Sequence, residues 1–224
     1  MIPIQYLARD GNPEDSDPKF DSIIVLSRVP SSLPESPVLS DEEKNKAARF
    51  VREGDRIAYA FRHHLLRTLL ARWLRTHPDT LHFSVNPFGK PFLEDCPFHF
   101  NMSRSGTLLC YYFGPSDGGV DIERRRDPSS YREIAARHFH DEEKTMMRED
   151  DDFFIIWTRK EALLKATGTG LSSGLHHFDC SKDIVCAGHH SYHLRSYADT
   201  ESILSICLPA SVPDLQFYKI DTKD

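Results

Sequence analysis

The sequence predicts an α+β protein built as two similar, pseudo-duplicated halves, each an antiparallel sheet packed with a long helix, with the active site in the cleft between them. Three observations predict it. Ile57, Phe61, Leu65, Leu69 and Trp73 recur at fourfold spacing, one apolar stripe of a helix, and a second helical pattern covers about 153–166. Short apolar runs of strand length occupy both halves. Between them Gly114-Pro115-Ser116-Asp117-Gly118-Gly119 is the clearest break, and the order of patterns after it resembles the order before it. The halves are therefore read as 1–117 and 118–224.

Residues 10–19, rich in Asp and Pro, read as a loose lead-in, and 23–26 as a short buried strand. A loop over 30–37 precedes Ser40-Asp41-Glu42-Glu43, which has capping-box spacing and opens a helix that Gly54 is expected to break. The 57–73 helix follows. Residues 81–85 and 98–101 look extended, and 108–113 is a continuous apolar strand. In the second half a strand at 120–122 leads to helical patterns near 131–139 and 142–147. The acidic run 149–152 suits the start of the next helix, where negative charge is favourable. Strands are expected at 192–197, 202–208 and 215–220.

The 224 residues suffice for a sizeable core, and 39% apolar with 28% charged residues is ordinary for a globular protein. A net charge of −6 argues against a general nucleic-acid binder. Basic residues do gather between 44 and 75, which fits a small phosphorylated ligand better than a polymer. Five cysteines without a C-x-x-C pair read as reduced thiols. With no signal-peptide pattern and no run of membrane-spanning length, a cytoplasmic location is expected, with no membrane or nucleic-acid partner.

The chemistry concentrates in two blocks. Asp121 and Glu123 lie two apart on a strand and share one face. Glu161 and Lys165 lie four apart on a helix and share one face. An isolated D-x-E is usually a solvated strand end, and an isolated Glu/Lys pair an exposed ion pair worth about 0.3–0.5 kcal/mol. Taken together, clustered carboxylates suit Mg²⁺, and lysines beside them suit a phosphate-bearing substrate. The glycines before Asp121 are expected to let a ligand approach closely.

Several motifs in order give the chain a resemblance to the Sfp-like 4′-phosphopantetheinyl transferases. They are Gly89-Lys90-Pro91, Phe100-Asn101-Met102-Ser103-Arg104-Ser105-Gly106, Gly119-Val120-Asp121-Ile122-Glu123, and Trp157-Thr158-Arg159-Lys160-Glu161-Ala162-Leu163-Leu164-Lys165 with Gly168-Thr169-Gly170-Leu171. The resemblance covers roughly 45–175. It implies transfer of the phosphopantetheine arm of coenzyme A to a serine of an apo acyl or peptidyl carrier protein, releasing adenosine 3′,5′-bisphosphate. Asp121, Glu123 and Glu161 would hold Mg²⁺ against the pyrophosphate. Glu161 would also remove the serine proton, directly or through a water. Lys165 would neutralise the leaving phosphate, and Lys160 would sit against the same phosphates. Lys90 and Pro91 match the loop against the nucleotide. Lys46 and Arg49, joined by Arg56, lie in the helix that approaches the ribose 3′-phosphate, and Ser103 falls in the family's Ser-His-Ser-Gly block.

Two positions depart from the family. Arg104 stands where histidine is usual; it still offers donors to phosphate but cannot accept a proton. Ala58 stands where an arginine is usual, so the 3′-phosphate clamp is expected to be differently built. Glu143 aligns with a family glutamate whose role is structural or metal-associated. Arg124, Arg125 and Arg126 are expected on the carrier-docking surface of a monomer. An Mg²⁺-dependent nuclease and a carrier-binding module without turnover are the other classes considered. The stretch 168–172 reads as a helix stop instead of a phosphate loop, because it follows its helix. Cys180, Cys186, His189, His190 and His193 match no standard zinc spacing.

Overall fold

The computed structural model describes residues 8–9, 16–126, 131–169, 174–209 and 215–221. Of the lead-in, 10–15 lie outside the described residues, as do 170–172 of the stretch after the last long helix.

The architecture is α+β in four layers. The first sheet has the order β1 (Ala8–Arg9), β11 (Leu215–Ile220), β2 (Ser22–Arg28), β6 (Leu108–Gly114), β5 (His99–Ser105). The second has the order β7 (Gly119–Arg124), β10 (Ser202–Pro209), β9 (His190–Ala198), β8 (Ile184–Ala187) and is antiparallel throughout. Helix α2 (Glu53–Leu74) covers the outer face of the first sheet, with Phe61, Leu65, Leu66, Leu69 and Leu70 on Ile23, Val25, Leu109, Tyr111 and Phe113. The alternate residues Ile24, Cys110 and Tyr112 turn the other way, onto Val120, Ile122, Leu204 and Ile206 of the second sheet. Helix α5 (Asp150–Thr167) closes the far side through Ala162, Leu163 and Ala166 on Leu194 and Cys207. Strand β6 is buried along its whole length because both its faces are covered.

Most elements form where the patterns place them. Ser40 and Glu43 make a reciprocal capping box at the start of α1 (Asp41–Ala48). Helix α1 ends before Gly54, which sits inside the first turn of α2, so that glycine is not the breaker. Helix α5 begins at Asp150, within the acidic run itself, and stops at Gly168 in the left-handed region with φ 66°. Helices α3 (Tyr131–His138) and α4 (Asp141–Met146) complete the second half.

Two differences matter. The expected division at 117/118 falls in the bend between β6 and β7, yet β11 returns to pair parallel with β2 inside the first sheet. That sheet is therefore mixed, antiparallel over β2, β6 and β5 only. The short strands β3 (Phe83–Val85) and β4 (Pro91–Leu93) form a separate hairpin whose loop carries Gly89 and Lys90. Strand β3 lies inside the run 81–85 expected to be extended, whereas the three residues of β4 are too few for periodicity to reveal.

Candidate active site

The site begins where the edge strands of the two sheets meet. Strands β5 and β7 are joined through side chains in place of a backbone ladder. The Val120, Ile122 and Arg124 amides donate to Asn101 Oδ1 (3.0 Å), Ser103 Oγ (3.3 Å) and Ser105 Oγ (3.0 Å). The same two hydroxyls donate onward to the carboxylates, Ser103 to Asp121 Oδ1 at 2.7 Å and Ser105 to Glu123 Oε2 at 2.6 Å. Period-two alternation in both strands makes this possible. Asn101, Ser103 and Ser105 share one face of β5, and Asp121 and Glu123 share one face of β7. Ser103 thus orients Asp121. Asn101 and Ser105 were not singled out from the sequence, although N-x-S-x-S opposite G-x-D-x-E carries the signal.

Helix α5 brings the remaining groups. A Cβ on Gly119 would lie 1.9 Å from the Ala162 carbonyl oxygen and 2.5 Å from the Ala166 amide nitrogen. The absent side chain therefore admits the helix backbone, and not a ligand as the sequence suggested. This contact sets Lys165 Nζ 2.7 Å from Asp121 Oδ1 and 3.1 Å from the Val120 carbonyl. An ammonium has three donors, so one N–H of Lys165 remains for a phosphate oxygen.

Glu161, one turn earlier on the same face, has its carboxyl pushed up to about 7. Burial is the main cause, repulsion from Asp121 and Glu123 adds to it, and Lys165 opposes it. Burial also raises Glu123, against the Ser105 hydrogen bond.

A cleft of about 270 Å³ opens beside these groups, lined by Glu161, Lys165, Arg62, Lys90 and Pro91 among others. The β3–β4 loop is anchored across it. Asn86 Oδ1 accepts from the Phe88 and Lys90 amides at 2.9 Å, and its Nδ2 donates to the Gly168 carbonyl at the end of α5. Lys90 Nζ rests 2.8 Å from Asp117 Oδ1. Lys46 Nζ lies 5.5 Å from the centroid of the Tyr59 ring, which the Arg62 guanidinium approaches at 5.6 Å. Arg49, the C-cap of α1, is exposed, and Arg56 pairs with Glu53 at 3.0 Å on the surface. Arg104 donates to the Gly106 carbonyl and lies 3.9 Å from Asp55. It borders a neighbouring hollow with Ala58 and Arg124.

Lys160 does not sit against the phosphates as the resemblance implied. Its side chain is wholly buried on the other side of α5, with Nζ on Glu143 Oε2 (2.8 Å) and on the Leu175 and Phe178 carbonyls (2.8 and 2.6 Å). All three donors are used, so none is free for phosphate. Glu143 also accepts from the His140 and Cys180 amides at 2.6 Å, which makes it structural. Of the arginine run, Arg125 is committed inward, to Asp151 and the Asp199 carbonyl, while Arg124 and Arg126 face Glu201 and Glu123. Cys180 is buried and Cys186 exposed, both as free thiols.

Comparison with known proteins bears directly on this arrangement. Residues 118–204 match the family model of the 4′-phosphopantetheinyl transferase superfamily. A 4′-phosphopantetheinyl transferase of Bacillus subtilis is 30% identical over 196 residues, covering 79% of this chain and 84% of that protein. The chain belongs to the 4′-phosphopantetheinyl transferase family. The transferase HetI of a Nostoc strain is 33% identical, over 66% of this chain and 70% of its own. The transferase Sfp of Bacillus subtilis strain 168 is 32% identical, over 62% and 65%. This transferase is therefore an enzyme of the holo-[carrier protein] synthase class.

The donor set also fits a divalent cation. Asp121 Oδ2 is buried with no hydrogen-bond partner among the described residues. A cation would relieve the mutual repulsion that raises Glu161. Among the described residues no three His, Cys, Asp or Glu side chains close on one point. Asp121 Oδ1 is held by Lys165 and Ser103, and Glu123 by Ser105 and Arg126. Substrate phosphate oxygens and waters would complete the shell, as Mg²⁺ sites commonly require. Among the described residues no helix is long and apolar enough to cross a membrane.

Proposed function

We propose that this transferase moves the 4′-phosphopantetheine arm of coenzyme A to a serine hydroxyl of an apo acyl or peptidyl carrier protein. The serine oxygen attacks the β-phosphorus of the pyrophosphate, the P–O bond to the nucleotide breaks, and adenosine 3′,5′-bisphosphate leaves. One observation supports the reading: Lys165, held 2.7 Å from Asp121, lines with Glu161 and Lys90 one cleft, and Glu161 feels the charge of both Asp121 and Glu123. Asp121, Glu123 and Glu161 would hold Mg²⁺, which when bound neutralises charge on the pyrophosphate oxygens. Lys165 supplies its remaining N–H to the leaving phosphate, while its two bonds to Asp121 and Val120 fix its position. Glu161 accepts the serine proton, a step that general-base catalysis makes worth roughly 10²- to 10⁴-fold. Lys90 and Pro91 flank the nucleotide, and Lys46, Arg49 and Arg56 add positive charge along the approach. The carrier protein docks near exposed Arg124 and Arg126, and the enzyme acts as a monomer in the cytoplasm. In phosphoryl transfer such positioning and charge neutralisation supply most of the catalysis.

The test is intact-mass analysis of apo carrier proteins incubated with the enzyme, coenzyme A and Mg²⁺. The arm should appear on the carrier, and chelation of the divalent cation should stop it. Glu161→Ala should abolish transfer while coenzyme A binding survives in part. Full activity in that variant would refute the assignment of base and metal ligand. Phosphodiester cleavage without carrier modification would point to a nuclease instead.

A further inference from the structure

Two arginines of α2 are treated very differently by the fold. Arg67 is buried and fully served, with Nε on Glu43 Oε2 at 2.7 Å and Nη1 on the Pro78 and Leu81 carbonyls. Arg62 has no such provision. Its Nε is buried with no hydrogen-bond partner among the described residues. Burial is the main influence disfavouring its charge; Tyr111 and Tyr59 oppose it, and the neighbouring cation Arg104 adds to it. No carboxylate pairs with it among the described residues. Its neighbours are aromatic: Tyr59 beside the guanidinium, and Tyr111, whose hydroxyl donates to the Arg62 carbonyl at 2.9 Å and pins the backbone there.

An aromatic face steadies a cation without neutralising it. Tyr59 carries Lys46 as well as Arg62, so positive charge accumulates around one ring. Arg62 also lines the cleft that holds Lys90, Glu161 and Lys165. Ala58, one turn earlier on the helix, contributes only a methyl and no charge. A half-buried guanidinium with no counter-ion among the described residues is destabilising unless something else supplies the negative charge. Here the open side of the cleft is where that charge would enter.

We propose that Arg62, with Arg104 beside it, is a phosphate-binding residue of the cleft and takes a phosphate group of coenzyme A as its counter-ion. The proposal rests on the transfer reading above. Coenzyme A offers phosphate in two places, the pyrophosphate and the ribose 3′-phosphate, and a planar guanidinium can grip either in bidentate fashion.

The experiment is calorimetric titration of coenzyme A and of 3′-dephospho-coenzyme A, with Mg²⁺ present, into the wild-type enzyme, Arg62→Met and Arg62→Lys, together with thermal unfolding of each. Arg62→Met should weaken coenzyme A binding about 10- to 100-fold, the effect of losing a charged hydrogen-bond partner. Its thermal midpoint should stay level or rise, because an uncompensated charge has left a half-buried position. Arg62→Lys should recover part of the affinity. If the contact is the 3′-phosphate, dephospho-coenzyme A will bind wild type and Arg62→Met alike; if it is the pyrophosphate, the variant will weaken both ligands equally. Undiminished coenzyme A affinity in Arg62→Met overturns the proposal. So does an Arg62→Met protein that unfolds or fails to fold, which makes Arg62 a structural residue. A wild-type enzyme that binds no coenzyme A would instead sink the transfer reading itself.

Discussion

At the scale of single residues, small polar side chains decide how the large charged ones are aimed. Ser103 accepts a hydrogen bond from the backbone of β7 and donates one to Asp121, so it is both a seam between sheets and a rest for the carboxylate. Ser103→Ala should therefore lower stability by about 1–2 kcal/mol, as expected for two lost hydrogen bonds partly offset by water, and slow transfer roughly tenfold. Coenzyme A affinity should change little, and Ser103→Thr should keep most of the activity. Urea unfolding with steady-state transfer assays separates these effects; a large loss of coenzyme A affinity would mean that Ser103 touches substrate. The charged pairs were legible from spacing alone, since i,i+2 on a strand and i,i+4 on a helix fix a shared face. Of these hydroxyls the sequence marks only Ser103, through the block that the resemblance sets near the nucleotide; that Ser103 and Ser105 aim the carboxylates depends on the partner strand.

At the scale of elements, two buried ion networks hold helices in place. Lys160 and Glu143 tie α5 to α4 and to the loop through Phe178. Removing the ammonium leaves a buried carboxylate uncompensated, so Lys160→Met should cost about 3–5 kcal/mol. Pairing it with Glu143→Leu should restore a good part, and folded protein should keep normal coenzyme A affinity. Calorimetric unfolding of the single and double variants measures this; unchanged stability in Lys160→Met would contradict the burial argument.

The other network joins α1 to α2. Burial alone would push the Glu43 carboxyl up, but His63, Arg67 and the Ser40 amide outweigh it and hold it down to about 2. His63 Nδ1 lies 3.2 Å away but out of line for a good hydrogen bond, so Arg67 and the cap matter most. A folded-state value below the ordinary 4.5 stabilises the fold above that pH, and the contribution is lost as pH falls from about 4.5 towards 2. Glu43→Gln should be less stable near pH 6, by roughly 3 kcal/mol for a broken buried pair, and the gap to wild type should close below pH 4. A gap independent of pH would exclude ionised Glu43 as its source. Sequence reading recovered the capping box at Glu43 but not its second duty to Arg67, which lies 24 residues away.

At the scale of the whole molecule, the C-terminal strand binds the halves together. Strand β11 lies next to β2 in the first sheet, and its Phe217 and Tyr218 enter the buried clusters on both faces of that sheet. A fragment ending at 117 would leave β2 with a bare edge and both clusters incomplete. That fragment alone should show no cooperative unfolding transition, and deletion of residues 215–224 should abolish the transition of the full chain. Circular dichroism on heating tests both, and an independently folding 1–117 fragment would show that the halves are true domains. Hydrophobic period alone assigned 215–220 as a strand, but nothing local states which sheet a strand joins.

By itself the sequence disclosed the α+β class, the places of the long helices and longer strands, and the faces shared by Asp121 with Glu123 and by Glu161 with Lys165. Each of these depends on periodicity or spacing within a short stretch of chain. Tertiary structure decided which lysine of Lys160 and Lys165 faces the cleft, that Gly119 makes room for α5, and that Arg62 lines the cleft with no counter-ion among the described residues. Those outcomes depend on contacts between residues 40 or more apart in the chain, or on the burial that such contacts produce, and no local pattern encodes them.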